Sequence, residues 1–189
     1  MVLFKKILKW AGMVLGGAFV ILVIVRAFYF YNLDKTNEQV EIIHNTKLQL
    51  SDVMGENLPP DPGELADKTV AGVDANYNGI RDDVELAIFA KYPNSAKTRA
   101  VLLQYALVLQ MQMTLPIVNE RTVTASVEDS ESRANVCMWY FTDTEQKEKY
   151  VEGLQINTKE RNKYMDTFYK KLRSFSSSNE GCDIDLSTL

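Results

Sequence analysis

An uncharged apolar segment near the N-terminus constrains what this chain can fold into more than any other feature. No residue from Trp10 to Val25 is charged, and the apolar run extends to Tyr31 if the Arg26 side chain reaches toward the headgroups. As a helix, these about 22 residues would span roughly 33 Å, close to the hydrocarbon thickness of a bilayer. We therefore predict one transmembrane helix, in contact with the lipid bilayer through residues 10–31.

The residues on either side of this segment predict its orientation. Lys5, Lys6 and Lys9 precede it, and acidic residues outnumber basic ones directly after it. Because basic residues favour the cytoplasmic side, we expect a single-pass protein of the inner (cytoplasmic) membrane, with a cytoplasmic N-terminus and a periplasmic or extracellular C-terminal domain. A cleaved signal peptide is the alternative. However, the run is long for a signal peptide, and the aromatic residues 28–31 offer no small-residue cleavage site.

The remainder of the chain has the charge of an acidic globular domain. Residues 1–31 hold four basic residues and no acidic one, which leaves 17 of the 21 basic residues against all 25 acidic residues on 32–189. Nucleic-acid binding needs clustered Lys and Arg. We therefore expect no nucleic-acid partner, and a surface that suits solubility and divalent cations instead.

A second apolar stretch, from Ala100 to Val118, differs from the first in its polar residues. It contains Gln104, Gln110 and Gln112, and three amide groups would be costly in hydrocarbon. Since the stretch is apolar on nearly all sides, it predicts a helix buried in the core of a soluble domain.

Local signals predict further boundaries. Ser95 can cap the buried helix, and capping boxes predict that helices open at Thr36 and Thr142. The Ser-rich stretch 174–181 predicts a flexible break. Residues 117–132 fit either a loop or a short strand, and the sequence does not decide between them.

The twelve residues from Asp74 to Glu85 carry oxygen donors at a characteristic spacing. Calcium takes six to eight hard oxygen ligands, and a twelve-residue loop supplies them from positions 1, 3, 5, 7, 9 and 12, with glycine at position 6. Gly79 occupies position 6, where the chain must turn at positive φ. A plain Asn-Gly turn followed by a helix is the alternative, but it would not require all of these donors together. The predicted Ca²⁺ ligands are the side chains of Asp74, Asn76, Asn78, Asp82 and Glu85 and the carbonyl of Ile80.

This loop resembles an EF-hand loop. It is more closely similar to the calcium loops of thrombospondin type 3 repeats and of bacterial surface proteins, which share an Asp-x-Asp-x-Asp-Gly-Ile-x-Asp-Asp pattern. With the preceding Pro-Pro-Asp-Pro-Gly-Glu run, the chain also looks like bacterial envelope proteins. The resemblance covers 12 of 189 residues. It implies a Ca²⁺ site and nothing about the rest of the chain.

Two departures from that pattern matter for the predicted site. Asn76 and Asn78 replace aspartates, which lowers the negative charge of the cage. Arg81 stands at position 8, where paired EF-hands place an apolar residue that meets a partner loop. These departures imply an unpaired, structural site with a Kd of about 10⁻⁵ to 10⁻³ M, as in extracellular modules.

The two cysteines, Cys137 and Cys182, predict a disulfide bond, because an oxidising compartment would allow one. Two separately buried thiols are the alternative. Catalysis has less support from the sequence. The single histidine, His44, has no evident partner, and no nucleophile elbow, zinc spacing or phosphate loop is present.

These features together predict a mainly α protein, with a single N-terminal transmembrane helix followed by a helical extracytoplasmic domain with one calcium loop. The predicted parts are a cytoplasmic stub with the transmembrane helix (1–31), a membrane-proximal helix (32–57), a proline-rich linker (58–73) and a helical domain that begins with the calcium loop (74–189).

The same features predict a membrane-anchored calcium-binding protein that works as a non-enzymatic structural or protein-interaction module. Its partner would be another envelope protein or a second copy of the chain, since Gly12 and Gly16 have the spacing of close helix pairs. The alternative is a calcium-dependent hydrolase of cell-envelope polymers. Its carboxylates would come from residues such as Asp129, Glu131, Asp143 and Glu145, and spacing gives no reason to choose among them.

Overall fold

The computed structural model describes residues 2–173 and 181–189. About 70% of the chain is helical, and no strand is present in the described residues. The predicted mainly α class is therefore confirmed. The predicted flexible break at 174–181 lies outside the described residues, except for Gly181.

Eight α-helices are present in this described part of the chain, and several begin at polar side chains. The Ser95 hydroxyl accepts the backbone N–H of Thr98, as predicted, and Thr158 does the same for Arg161; each satisfies a free N–H of a first helical turn. The helices are α1 (Val2–Asn45), α2 (Leu50–Met54), α3 (Asp82–Lys91), α4 (Ala96–Thr114), α5 (Glu120–Ala125), α6 (Ser132–Met138), α7 (Thr144–Gln155) and α8 (Lys159–Tyr169). Shorter helical turns are the 3₁₀ turns Gly63–Asp67 and Leu186–Thr188 and the π-helical turn Ser126–Glu131.

Two predicted helix starts are wrong. Helix α1 continues through Thr36, whose hydroxyl donates to the carbonyl of Asn32 one turn back instead of capping a new helix. Helix α7 begins at Thr144 without a side-chain cap, so the predicted box at Thr142 does not open it. The Thr144 hydroxyl donates back to the carbonyl of Phe141.

The segment that the sequence left undecided is helical from Glu120 onward. Helix α5, the π-helical turn and helix α6 follow one another directly, because the residues at both junctions keep right-handed helical dihedrals. Threonine and valine favour a helix only weakly. The packing of the π-helical turn and α6 against α4 therefore explains the helical conformation better than the local sequence does.

The chain divides into two compact units, residues 1–38 and residues 39–189. In the first unit, the side chains from Phe4 to Tyr31 are exposed on α1. Phe4–Asn45 is the one helix of the described residues that is long and apolar enough to cross a membrane, with a mean hydropathy of 2.3 over its most apolar window. This agrees with the predicted single span.

The second unit is built around α4. Every residue from Thr98 to Met113 is buried, and α2, α3, α6, α7, α8 and the π-helical turn pack against this helix. The predicted buried helix is confirmed, and its amide side chains find partners inside the unit. Gln110 Nε2 donates to the carbonyl of Ala71 over 2.6 Å, and Gln104 Oε1 accepts the N–H of Asp183 over 2.8 Å.

The proline-rich segment 58–73 is held on this helical body rather than extended away from it. Arg161 of α8 is fully buried, pairs with Asp67 and donates to three carbonyls of the segment. A buried charge is tolerated only with such partners, so the segment and α8 stabilise each other. The three carbonyls belong to Ala66, Thr69 and Val70.

The C-terminal residues are tied to the same body through the cysteine pair. The Sγ atoms of Cys137 in α6 and Cys182 lie 2.10 Å apart, at disulfide distance, as predicted. The next residue, Asp183, accepts the N–H of Leu48 over 2.9 Å and pairs with buried Arg133. The C-terminus therefore contacts both α6 and the turn that follows α1.

We expect replacement of Cys137 and Cys182 by serine to destabilise the second unit. The bridge spans a sequence separation of 45 residues, and closing a loop of that size in the unfolded chain is worth about 4 kcal/mol in the chain-entropy model. Urea unfolding followed by circular dichroism would measure the loss. Dithiothreitol should destabilise the wild-type protein equally and leave the double variant unchanged; equal midpoints for all samples would contradict the bridge.

Candidate metal centre

Two hydrogen bonds join the start of the loop at residues 74–85 to Asp82, the first residue of α3. The N–H of Asp82 donates to the carbonyl of Val73 over 2.9 Å. In return, Asp82 Oδ1 accepts the N–H of Ala75 over 2.9 Å. These two hydrogen bonds close the loop at the point where α3 starts.

Asp74 shapes the first half of the loop. Its Oδ1 accepts the N–H of Asn78 over 3.2 Å and its Oδ2 accepts the N–H of Gly79 over 2.9 Å. Gly79 has a φ of 83°, and a Cβ atom there would lie 2.8 Å from a methyl carbon of Leu107. Position 6 therefore needs glycine for two reasons, its dihedral and its close approach to α4. Tyr77 also has a positive φ, of 58°, and its side chain is 90% exposed.

Glu85 is the last residue of the loop and lies in the first turn of α3. Its side chain is the one that the other loop side chains contact. It is only 1% exposed. Its Oε2 atom accepts hydrogen bonds from the Nδ2 atoms of Asn76, over 3.1 Å, and Asn78, over 3.0 Å. The side chains at predicted ligand positions 3 and 5 therefore both donate to one carboxylate oxygen of the residue at position 12.

The buried loop holds more negative charge than its hydrogen bonds compensate. Burial raises the pKa of Glu85 to about 7, although the two amide donors oppose the shift, and the neighbouring carboxylates of Asp52 and Asp82 raise it further. Burial also raises the pKa of Asp82, and the charges of Asp74 and Asp83 act in the same direction. A divalent cation would reverse this electrostatic cost.

Two oxygen atoms in the loop are buried without a hydrogen-bond donor among the described residues. They are Asn76 Oδ1 and Asp82 Oδ2, and both belong to predicted ligand residues. Buried acceptors almost always have a partner. Oxygen atoms of this kind, beside a buried carboxylate, are the donor set that calcium prefers, so the residues present fit that ion.

Most of the predicted ligand side chains lie near one another. Asp74, Asn76, Asn78, Asp82 and Glu85 contact one another or influence one another electrostatically. Ile80, whose carbonyl is the remaining predicted ligand, has its side chain buried in the core. In the described residues, no group of three or more His, Cys, Asp and Glu side chains is arranged to hold a metal ion. A site here would therefore depend on amide and peptide oxygens as well as carboxylates.

Two residues near the loop are not part of the twelve-residue ligand pattern, and both belong to the segment just after α1. Burial raises the pKa of the Asp52 carboxyl group in α2, the side chain of Asn78 opposes this shift, and the charge of Asp74 adds to it. The carbonyl of Asn57 accepts a hydrogen bond from Asn76 Nδ2 over 2.8 Å. No motif in the sequence links these residues to the loop, because they lie far upstream of Asp74.

Arg81, at position 8, is turned into the domain. It is fully buried, pairs with Asp83, and donates to the carbonyls of Leu154 and Gln155 at the end of α7. A cation at the C-terminus of a helix interacts favourably with its free carbonyls. The loop is therefore fastened to a helix of its own domain at the position where paired EF-hands contact a second loop.

The four acidic residues considered for catalysis each contact a basic or amide side chain. Asp143 and Glu145 pair with lysines one helical turn away, and these hydrogen bonds lower the pKa of both carboxyl groups. Asp129 pairs with Arg133. Glu131 accepts a hydrogen bond from an amide of α4, and burial raises its pKa.

No protein-family model, curated protein or solved structure matches this chain.

Gly79→Ala should destabilise the second unit by at least about 1–2 kcal/mol, because alanine is strained at this φ and its Cβ would collide with Leu107. Gly153 is the matched control. It lies within α7, and nothing stands within 4 Å of an added Cβ, so Gly153→Ala should stabilise by about 0.5–1 kcal/mol. Urea unfolding of both variants tests the pair; a neutral Gly79→Ala would contradict the loop geometry.

Proposed function

We propose that this chain is a membrane-anchored protein whose extracytoplasmic helical domain binds calcium through residues 74–85. The domain would act as a structural or protein-contact module rather than as an enzyme. One observation carries the calcium proposal. Asn76 and Asn78 both reach the buried carboxylate of Glu85, beside oxygen atoms that have no donor in the described part of the chain.

Metal contacts would replace some of the hydrogen bonds of these side chains. A half-turn of each Asn amide about its Cβ–Cγ bond exchanges Nδ2 for Oδ1, which turns a donor to Glu85 into a ligand; the same turn would release the Asn57 carbonyl from Asn76 and the N–H of Ile80 from Asn78. The Glu85 carboxylate would then face the ion instead of two N–H groups. Asp74, Asp82 and the carbonyl of Ile80 would complete a set of hard oxygen ligands.

The bound ion would supply positive charge and cross-linking, not chemistry. It would neutralise carboxylates that repel one another in a buried loop and would join the start of α3 to the preceding segment. Arg81 already fastens this loop to α7. Calcium would therefore stabilise the whole helical body, as expected of a structural site.

Two features support the location outside the cytoplasm. Exposed apolar side chains cover α1 from Phe4 to Tyr31, and basic residues precede the uncharged run. The cysteines 137 and 182 lie at disulfide distance, and such bonds persist mainly in oxidising compartments.

A contact role is supported by aromatic side chains that the domain leaves exposed. Trp139 and Tyr140, directly after α6, are 73% and 69% exposed. Exposed tryptophan and tyrosine are the residues on which protein contacts most often depend. The partner would be another envelope protein or a second copy of the chain.

Calcium should raise the melting temperature of the full-length protein in detergent micelles. At a hundredfold excess over its Kd, a ligand stabilises the folded state by about 2.7 kcal/mol, which corresponds to roughly 5–10 °C for a domain of this size. Asp82→Asn with Glu85→Gln preserves shape and removes two ligand charges, so the rise should disappear. Glu145→Gln, an exposed carboxylate on α7, should retain it. The absence of any rise in the wild-type protein would refute the site.

The predicted topology has its own test. Alkaline phosphatase fused after Leu189 should be active in bacterial cells, because it folds only after export, whereas green fluorescent protein at the same position should stay dark. Replacing Lys5, Lys6 and Lys9 by glutamate removes the basic flank and should reduce phosphatase activity. A fluorescent wild-type fusion would place the domain in the cytoplasm and overturn this proposal.

A further inference from the structure

The end of α1 belongs to the second unit and packs against one particular part of its body. Ile43 is only 2% exposed. Together with Gln39 it lines a small cavity, whose other walls come from the end of α4, the segment after it, α5 and α8. Ile117 and Phe168 are among these lining residues. The chain that arrives from α1 is therefore attached beside residues 115–121 and the end of α8.

These two segments, residues 115–121 and 168–173, form one surface of the unit. An open groove is lined by residues of both, with Val118 and Arg121 on one side and Lys171 on the other. Arg173 Nη2 donates to Glu120 Oε1 over 2.8 Å and so joins the two segments. We call this surface the basic face.

The charge of the basic face is opposite to that of the domain that carries it. Residues 32–189 hold 17 basic and 25 acidic residues, whereas the two segments hold four basic residues and one acidic residue. All four basic side chains are exposed. The basic face therefore attracts anions, although the domain as a whole repels them. The four basic residues are Arg121, Lys170, Lys171 and Arg173.

Apolar residues lie directly beside these cations. Residues 115–118 read Leu-Pro-Ile-Val and are uncharged; Pro116 is exposed, and the other three are half-buried. Beneath the surface, Ile117 and Leu172 pack against a small hydrophobic cluster that contains Phe168. An apolar segment flanked by Lys and Arg is the combination that binds the boundary between lipid headgroups and acyl chains.

We propose that the basic face docks on the anionic phospholipid headgroups of the bilayer that holds α1. This inference rests on the membrane anchor proposed above and not on the calcium site. Gln39 follows Tyr31, the end of the predicted span, by eight residues, and even a fully extended chain of that length reaches only about 28 Å. A surface tethered so closely meets the headgroups at a high effective concentration, and each exposed Lys or Arg adds electrostatic attraction to them.

Docking of this kind would also orient the domain. The remaining surface of residues 32–189 carries an excess of acidic residues, which an anionic membrane repels. The field that attracts the basic face would therefore turn the acidic surfaces away from the bilayer. These surfaces would then be the ones presented to a partner.

Hydrogen exchange of the full chain in lipid nanodiscs tests the docking. Exchange at residues 115–121 and 168–173 should be slower in discs of equimolar phosphatidylcholine and phosphatidylglycerol than in discs of phosphatidylcholine alone, and high salt should remove the difference. Lys170→Gln with Lys171→Gln should lose most of this protection, because each such residue near an anionic surface contributes a factor of roughly five to the docking equilibrium. Lys68→Gln with Lys97→Gln removes the same charge from exposed lysines elsewhere and should retain it.

The same discs separate this inference from the proposals on which the function depends. Exchange is measured without Ca²⁺, so that failure of the calcium site leaves the result unaffected. A wild-type chain that enters the discs but exchanges equally in both lipid compositions would overturn the docking alone, as would equal loss of protection in the two double variants. A chain that does not enter the discs would overturn the anchor and the docking together.

Discussion

Helix α4 is surrounded by other helices from Thr98 to Met113, and this burial sets a condition that the rest of the second unit has to meet. A polar group on a buried helix must find its partner inside the protein or pay the cost of desolvation. Several polar side chains of α4 meet this condition by bonding to neighbouring segments, although Gln104 Nε2 and Gln110 Oε1 have no partner among the described residues. Arg99 bonds to α2, Gln110 to the segment before the loop and Gln104 to the C-terminal residues. The glutamines that argue against a second membrane span are thus the groups that attach the irregular parts of the chain to the core.

The features that could be predicted from the sequence are those whose evidence lies within a short window or in a unique pair of residues. Ser95 caps α4 because a hydroxyl directly before a helix can accept a free N–H of its first turn, and each of the two cysteines has only the other as a possible partner in the chain. The ligand spacing likewise identified side chains that the structure brings to Glu85. Asp52 could not be found in this way, because its approach to the loop depends on how α2 packs on α4, and no spacing rule describes that contact. The helix at Glu120 was missed for a related reason, since tertiary packing overrides the weak preference of its threonines and valines. Thr36 failed as a helix start because a helix already under way continues at less cost than a new one begins.

The segment that follows α1 is where these separate interactions meet. Its N–H at Leu48 donates to Asp183, its carbonyl at Val53 accepts from Arg99, and its carbonyl at Asn57 accepts from Asn76. The cysteine pair holds the residue next to Asp183 in place, and the loop holds Asn76. If α1 anchors the protein as proposed above, these are the first residues after the anchor that pack into the helical body. Three attachments within about ten residues, one of them beside the proposed ion site, oppose local unfolding of this segment.

Arg81 supplies a contact that would let the proposed calcium loop work singly, although EF-hand loops usually occur in pairs. A lone loop needs some other surface to hold its shape, and here the buried guanidinium group supplies it by bonding to the last carbonyls of α7. The Arg81 side chain also packs closely against Gly72, because a Cβ atom at Gly72 would collide with it. Since the loop cannot open without breaking these contacts to the core, an ion that stabilises the loop stabilises α7 and α3 by linkage. For the calcium site proposed above, this means that contacts with the helical body fix part of the loop's shape before an ion binds.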